Sequence, residues 1–145
     1  MATRLVNGVR VELTQNEIDA RAAEIAARAV PSAIKAKRAE IEKQYKAGVN
    51  QITAGYDNME IASWPQQADE AKARNENSQA SAPLIDAIAQ ARGMTSGELV
   101  TRILGKEAIY KQAFGAILGT RQRRTEQLSA VDVNAGNALD IINAV

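Results

Sequence analysis

The sequence predicts a mainly α-helical protein with a short N-terminal β-hairpin, a long helical arm and a small C-terminal unit of three helices. Three observations lead to this fold class. Alanine, the strongest helix former, supplies 28 of the 145 residues, and proline occurs only three times. Apolar residues recur at helical spacing along most of the chain. One Asn-Gly pair near the start lies between β-branched residues, a pattern typical of a tight hairpin turn.

The same composition limits the size of the core. The hydrophobic fraction of 46% includes all the alanines, and the chain has one Phe, one Trp and three Tyr. Alanine buries little surface, and the free energy gained from a core scales with the apolar area removed from water. We therefore expect closely packed helices around thin cores.

Composition also excludes several classes of site. The chain has no Cys and no His, which removes disulfides, thiolate metal sites, Cys nucleophiles and the commonest general base. A net charge of +1 gives no overall attraction to nucleic acid or acidic lipid. No apolar run approaches the roughly 20 residues that span a bilayer, and residues 1–11 lack a signal-peptide core. We expect a non-enzymatic protein with no catalytic residue, cofactor, metal, membrane span or small-molecule substrate.

The hairpin is predicted over residues 4–13, with Asn7 and Gly8 as its turn. An isolated two-stranded hairpin is marginally stable in water, so it should dock on another surface. That surface is either the chain's own first helix or a partner protein.

The first helix is predicted from Gln15 to about Ala29. Thr14 and Glu17 form a capping box at its start, because each can bind the other's backbone N–H. Pro31 then either starts a new helix or kinks one that continues.

The next helix is predicted from Ser32 to about Tyr56, and it may extend to Ile61. One narrow apolar stripe with eleven-residue spacing runs along it, opposite a charged face. Such a helix cannot form a core alone, so it needs a partner helix from this chain or from a second copy. We predict a partner interface formed by this stripe and the hairpin valines: Ile34, Ile41, Tyr45, Val49, Ile52, Tyr56, Val6 and Val9. Gly48 and Gly55 should weaken the helix but permit close approach.

Three more helices are predicted in residues 63–128. Ser63, followed by Pro65 and Gln66, resembles a helix start, and the very polar helix should run to about Gln79. A short helix should span 83–92, with Gly93 ending it. A third capping box, Thr95 to Glu98, should open a helix over 96–128. The core of this three-helix unit should lie around Trp64, Ile88, Ile103 and Phe114.

These elements divide the chain into three regions. Residues 1–62 form the hairpin and oligomerisation arm, residues 63–128 the compact unit, and residues 129–145 a tail with a short helix after Asn134 or Asn137.

Most charged residues are explained by helix surfaces. Six Glu residues precede a Lys or Arg by four positions, which favours solvated ion pairs. They are Glu17/Arg21, Glu24/Arg28, Glu42/Lys46, Glu70/Arg74, Glu98/Arg102 and Glu107/Lys111. Asp57 with Glu60 is interpreted as a loop pair, and Gly115 with Gly119 as a site of close helix packing. The cluster Arg121, Arg123 and Arg124 either complements a helix dipole or contacts nucleic acid.

Two stretches resemble bacteriophage proteins. Residues 5–14, LVNGVRVELT, followed by Asn16-Glu17-Ile18 and a helix rich in Ala, Arg and Glu, resemble the start of many small tail proteins of tailed phages. The second half is similar to a phage domain of unknown function at the C-terminus of tail and tail-fibre-associated proteins. The matching features are Trp64-Pro65, Glu70-Ala71, Pro83-Leu84-Ile85, Ile88-Ala89, Ala91-Arg92-Gly93 and Arg121-Gln122.

The resemblance implies a structural virion component of the phage tail, near the baseplate or the tail-fibre attachment. Such a protein is made in the host bacterial cytoplasm, forms homo-oligomers and binds other tail proteins. Two alternatives remain open. One is a tail or tail-fibre assembly chaperone that is absent from the mature particle. The other is a small nucleic-acid-binding regulator that uses Arg121 to Arg124.

Overall fold

The computed structural model describes residues 3–145 of the chain. Within that range the fold is mainly α, with an N-terminal two-stranded sheet and a long first helix, as predicted. The elements are β1 Thr3–Val6, β2 Val9–Glu12, α1 Gln15–Thr53, α2 Asn58–Glu76, α3 Pro83–Arg92, α4 Ser96–Ser129 and α5 Ala138–Ala144.

The hairpin has the predicted tight turn. β1 and β2 are antiparallel, and Val6 lies opposite Val9, so two residues form the loop. Asn7 and Gly8 have φ values of 48° and 81°. Positive φ at both positions is what a two-residue hairpin turn of this type requires, and Asn and Gly adopt it at least cost.

α1 runs without interruption through Pro31, which decides between the two predicted alternatives in favour of one continuing helix. Proline removes one backbone donor from the helix. The neighbouring residues Val30, Ala33 and Ile34 pack against a buried cluster, and this packing holds the helix on both sides of the proline.

α2 begins earlier than predicted, so the predicted helix start at Ser63 is wrong. The N-cap is Asp57, whose carboxylate accepts hydrogen bonds from the backbone N–H groups of Met59 and Glu60 at 2.8 and 2.9 Å. Ser63 lies inside the helix, where its hydroxyl donates to the Glu60 carbonyl. An aspartate that satisfies two N-terminal donors is a strong cap, so Asp57 caps α2 while Glu60 lies in the first turn of the helix and not in a loop as predicted.

The remaining helix ends agree with the sequence analysis. Gly93 caps α3 in the left-handed conformation with φ 64°. The capping box before α4 forms, because the Thr95 N–H donates to Glu98 at 2.9 Å and the Glu98 N–H donates back to the Thr95 hydroxyl at 3.2 Å. The equivalent box joins Thr14 and Glu17 before α1. The short tail helix is α5.

The chain divides into two compact units. Unit 1 consists of Met1–Lys43 and Arg121–Val145, and unit 2 consists of Gln44–Thr120. These bounds differ from the predicted division at residues 62 and 128, because α1 and α4 each contribute one part to each unit.

The core of unit 1 joins three helices. Ile41 of α1, Leu128 of α4 and Ile142 of α5 are buried together, and Ile142 has no exposed surface. Val131 and Val145 pack against this cluster. The C-terminal tail is therefore part of a core.

The core of unit 2 contains as many alanines as larger residues. Its buried residues are Ala71, Ala82, Ile85, Ala89, Leu99 and Val100. Ile88 and Ile103 pack against this cluster as predicted, together with Met94 and Leu104. Trp64 and Phe114, the other predicted core residues, are only half-buried and belong to a separate aromatic cluster.

The glycines of the long helices differ in their surroundings. A Cβ added at Gly48 would lie 3.2 Å from Ile117, so Gly48 allows the close approach that was predicted. A Cβ at Gly115 or Gly119 would meet nothing within 4 Å. The interpretation of this pair as a close packing site is therefore wrong.

We expect Ile41→Ala to destabilise the protein by about 2–5 kcal/mol, because it leaves a cavity beside Leu128 and Ile142. The matched control is Ile109→Ala, at a side chain that is 70% exposed, which should change stability by less than about 0.5 kcal/mol. Urea unfolding followed by circular dichroism measures both. Equal effects of the two substitutions would contradict the packing described for unit 1.

Gly48→Val should destabilise by about 1–3 kcal/mol, because two methyl groups would overlap Ile117. Gly115→Ala should instead stabilise by up to about 1 kcal/mol, because alanine is the better helix former and the space is open. Thermal unfolding of the two variants beside the wild type gives the signs. A stabilised Gly48→Val variant would show that the approach to Ile117 is not close.

Candidate partner-binding surfaces

The N-terminal segment, residues 3–28, is exposed along almost its whole length. Only Leu13 and Glu17 are partly covered. Leu5 is 70% exposed, Val9 63% and Ile25 65%, although all three are large apolar side chains. Exposed apolar residues that are scattered singly are ordinary, whereas a contiguous patch of them is typical of an interaction surface.

The hairpin itself presents an apolar face. Side chains of directly opposed residues lie on the same side of a sheet, and alternate residues share a face. The register therefore places Val6, Val9 and Val11 together with Arg4. An ion pair of 2.6 Å between Arg4 and Glu17 ties this sheet to the start of α1. The hairpin thus contacts its own helix through a charge, while its valines stay exposed.

The predicted interface residues are distributed over the N-terminal segment, the core of unit 1 and unit 2. Val6 and Val9 are exposed in the N-terminal segment, and Ile34 and Ile41 belong to the core of unit 1. In unit 2, Tyr45 and Val49 are half-buried, while Ile52 and Tyr56 line a groove.

The prediction that Ile41 belongs to a partner interface is corrected by the structure. Its side chain is only 3% exposed because Leu128 and Ile142 of the same chain cover it. It has almost no surface left for a second copy. The stripe on α1 was correctly identified as apolar, but its partner at this position is α4 and α5 of its own chain.

Two of the three arginines in the predicted basic cluster near the end of α4, Arg121 and Arg124, form ion pairs within unit 1. Arg121 pairs with Glu42 at 2.7 Å, and Arg124 pairs with Glu40 at 2.9 Å. The Nε of Arg124 also donates to the Val145 carbonyl at 2.7 Å. Lys37 and Arg124 donate to the Glu40 carboxylate and lower its pKa. These arginines hold α1, α4 and the C-terminus of unit 1 together.

Four aromatic rings form a continuous row in unit 2. Tyr56 meets Trp64 edge to face at a centroid distance of 5.1 Å, and Trp64 meets Tyr110 in the same way at 5.3 Å. Tyr110 then stacks on Phe114 at 5.7 Å. Such pairs contribute about 0.5–1.5 kcal/mol beyond their buried area. Trp64 therefore packs between Tyr56 and Tyr110, and it also lines a groove in unit 2.

The groove in unit 2 has a volume of about 890 Å³. Its walls are apolar and aromatic, with Ile52, Ile88 and Ile103 beside Tyr56, Trp64 and Tyr110. Its charged lining consists of Arg92, Arg102 and Lys106 against Glu60 and Glu107. The Nζ of Lys106 lies 5.8 Å from the centre of the Tyr56 ring, within reach of a cation–π contact.

The two carboxylates of the groove differ in whether they form ion pairs. Glu107 accepts from Lys72 at 2.7 Å and from Lys111 at 2.6 Å, and these two cations lower its pKa. Glu60 has no ion pair among the described residues. Arg92, Arg102 and Lys106 likewise form no ion pair within 4 Å in that part of the chain, although the charge of Arg102 helps to lower the pKa of Glu98, four residues before it. The groove therefore has a surplus of positive charge.

One glutamate of unit 2, Glu70, binds the backbone of another helix, a contact that was not predicted from the sequence. Glu70 accepts hydrogen bonds from the backbone N–H groups of Leu84 and Ile85 at 3.0 and 3.1 Å, so α2 caps the first turn of α3. Arg74 pairs with Asp86 of α3 at 3.0 Å, not with Glu70. Of the six predicted helical pairs, Glu24 with Arg28 and Glu107 with Lys111 form as close ion pairs.

The three cations of the groove, Arg92, Arg102 and Lys106, were not predicted from the sequence. One signal could have indicated them. Arg102 and Lys106 lie four residues apart on α4, so they share a helix face, and no acid lies four positions before Lys106. Arg92, at the end of α3, joins them only through the tertiary fold.

Comparisons with known proteins do not assign a class to these surfaces. No protein-family model, curated protein or solved structure matches the chain. In residues 3–145, no group of three or more acidic side chains is arranged to hold a metal ion. None of the helices described there is both long and apolar enough to cross a membrane. The candidate binding surfaces of the described chain are therefore the exposed N-terminal segment and the charged groove of unit 2.

Stability should fall in acid. The pKa values of Glu17, Glu98 and Glu107 are below the usual 4.5, because hydrogen bonds from the capping threonines, or from lysines at Glu107, favour the ionised forms. A group whose pKa is lowered on folding stabilises the fold above its unfolded pKa, and this contribution is lost as the pH falls through the folded pKa. Urea unfolding should thus give similar free energies at pH 7 and pH 6 and a lower value below about pH 4.5.

Glu107→Gln should be less sensitive to acid than the wild type, because one of the titrating carboxylates is gone. Glu76→Gln is the matched control, since Glu76 is exposed and forms no ion pair in residues 3–145. If both variants followed the wild-type pH dependence, the Glu107 contacts would not contribute to it.

Proposed function

We propose that this chain is a non-enzymatic structural component of a bacteriophage tail, located near the baseplate or the tail-fibre attachment. Two sequence resemblances support the phage assignment, one over residues 5–18 and one over features between Trp64 and Gln122. One structural observation supports a binding role. The N-terminal segment presents large apolar side chains that no described part of the chain covers.

An exposed segment of this kind gains stability from a partner. A two-stranded hairpin is marginal by itself, and most helical stability in proteins comes from packing of an apolar face. Full burial of a Leu, Val or Ile side chain contributes about 1.5–3 kcal/mol. Covering Val6, Val9 and Val11, which share one face of the hairpin and are between 39% and 63% exposed, would therefore offset part of the entropy that is lost when the segment becomes ordered on a neighbour.

The hairpin also offers hydrogen bonds. Each strand of a two-stranded sheet has one edge with unpaired backbone groups, and these can pair with a strand of another protein. Arg4 and Glu17 fix the hairpin to α1, so strand pairing and helix packing would occur on one partner. This supports docking on a neighbouring tail protein through Val6 and Val9. In this proposal the hairpin, not the apolar stripe of α1, is the main contact surface, because Ile41 of that stripe is buried.

An assembly chaperone is the second candidate, and the groove of unit 2 favours it. A groove with aromatic walls and a volume of about 890 Å³ can hold a short segment of a client chain. A nucleic-acid-binding regulator has less support. Arg121 and Arg124, on which it depends, are paired with Glu42 and Glu40, so their charge is largely compensated.

Mass spectrometry of purified particles of the encoding phage distinguishes the first two candidates. A structural component gives peptides of this chain in a constant ratio to other tail proteins, whereas a chaperone is absent from the particle. We expect a constant ratio. Absence of the chain from intact particles would overturn the structural proposal.

A paired substitution tests the segment itself. Val6→Glu with Val9→Glu, two residues that are paired on one face of the hairpin, should remove the chain from the particle, because charged side chains cannot be buried in an apolar contact. Met59→Glu, at an apolar residue outside the segment that is 81% exposed, should leave incorporation unchanged. Circular dichroism confirms that both variants stay helical. Normal incorporation of the double variant would show that the segment is not the contact surface.

A further inference from the structure

The groove of unit 2 is suited to an acidic and apolar occupant. Arg92, Arg102 and Lys106 line it without ion pairs among the described residues, and Glu60 is the one lining carboxylate that no cation there compensates. The wall between these charges is aromatic, and Trp64 is part of it. An occupant must therefore supply carboxylates beside apolar side chains.

The C-terminal segment, residues 131–145, has this chemistry. It contains Asp132 and Asp140 but no Lys or Arg. Within α5, Ala138 and Ile142 face the core of unit 1, which leaves Asp140 on the opposite side between Leu139 and Ile141. Those two apolar side chains are half-exposed, as is Val133. The segment thus presents one carboxylate flanked by apolar groups on a helix that is held in place.

We propose that the groove of one copy binds the C-terminal segment of a second copy, centred on Asp140. A seven-residue helix is about 10 Å long, and a groove of about 890 Å³ can accommodate one side of such a helix. Asp140 would lie among Arg92, Arg102 and Lys106. Leu139 and Ile141, which flank Asp140 on opposite sides of α5, would contact apolar side chains on the two sides of the groove.

Charge distinguishes this occupant from the other exposed apolar region of the chain. The N-terminal segment carries four cations and four carboxylates in residues 3–28, so it has no net charge to match the groove. The C-terminal segment carries two carboxylates and no cationic side chain. A second copy also needs no further partner, and the inference is independent of the proposed function, because it holds whether or not the chain belongs to a phage tail.

The proposed contact is heterologous, since a groove on one copy meets a different surface on the next. Contacts of this kind either close into rings or continue into open chains, depending on the rotation between copies. The protein should therefore self-associate when the concentration rises, either into a closed ring, of which a reciprocal dimer is the smallest, or into an open chain.

Sedimentation of the full chain over a range of micromolar concentrations tests the proposal. We expect the mass to rise with concentration and to fall when salt is added, because exposed charge pairs are screened. The single Trp of the chain lines the groove, so its emission should change over the same concentration range. A chain that stays monomeric throughout overturns the proposal.

Charge reversal identifies the two surfaces. Arg102→Glu and Asp140→Lys should each weaken self-association by roughly tenfold or more, because each places like charges in the contact. The double variant should recover association, since the charges are again opposite. Lys46→Glu is the matched control, at an exposed cation of unit 2 that does not line the groove, and it should behave as the wild type.

Each contrary result has a clear meaning. Association that Arg102→Glu leaves unchanged would locate the contact outside the groove and overturn the proposal. If Arg102→Glu weakens association but Asp140→Lys alone does not, another segment occupies the groove. That result also overturns the proposal. Failure of the double variant to recover association, with its helical content intact, would contradict the direct pairing.

Discussion

The scarcity of large apolar side chains is the constraint on which this structure depends. A chain with 28 alanines and five aromatic residues can close a core only where helices approach closely around a few larger side chains. Unit 2 does so by placing Ala71, Ala82 and Ala89 around Ile85. Unit 1 does so by joining Ile41, Leu128 and Ile142 from three helices. Both cores are thin, and this leaves apolar surface elsewhere without cover.

Thin cores increase the importance of charged side chains as connections between helices. Glu42 and Glu40 bind arginines of α4, Glu107 binds Lys72, and Glu70 caps α3. Exposed ion pairs are individually worth little, about 0–1 kcal/mol. Their arrangement nevertheless decides which cations are compensated, and it leaves Arg92, Arg102 and Lys106 without an ion pair in residues 3–145.

The two ends of the chain differ in their dependence on partners. The C-terminal helix α5 contributes Ile142 to a core and is fixed there, so its exposed face is a preformed surface. The N-terminal segment contributes no buried side chain over residues 3–28 and is tied by the Arg4 ion pair. Binding at the C-terminal surface would therefore cost little ordering entropy, whereas binding at the N-terminal segment would also stabilise the segment itself.

By itself, the sequence determined the local features of this protein. The hairpin turn, the two capping boxes, the glycine at the end of α3 and the course of α4 follow from interactions within four residues, and the sequence contains all the participants. It did not determine the start of α2, because the Asp57 cap and the Ser63 pattern are both plausible locally and the structure uses the first. Nor could it assign Ile41 to its own chain, since an apolar stripe shows that a side chain is covered but not by which helix.

The partners of the glutamates were likewise decided by the tertiary structure. A spacing of four residues places a cation within reach of Glu42 and Glu70, but Arg121 and the first turn of α3 compete for these carboxylates from distant parts of the sequence. The groove arises in the same way, because Arg92 and Lys106 come together only when α3 packs beside α4. Local chemistry selects the elements, and long-range packing selects the contacts, because only the folded chain brings together side chains that are far apart in sequence.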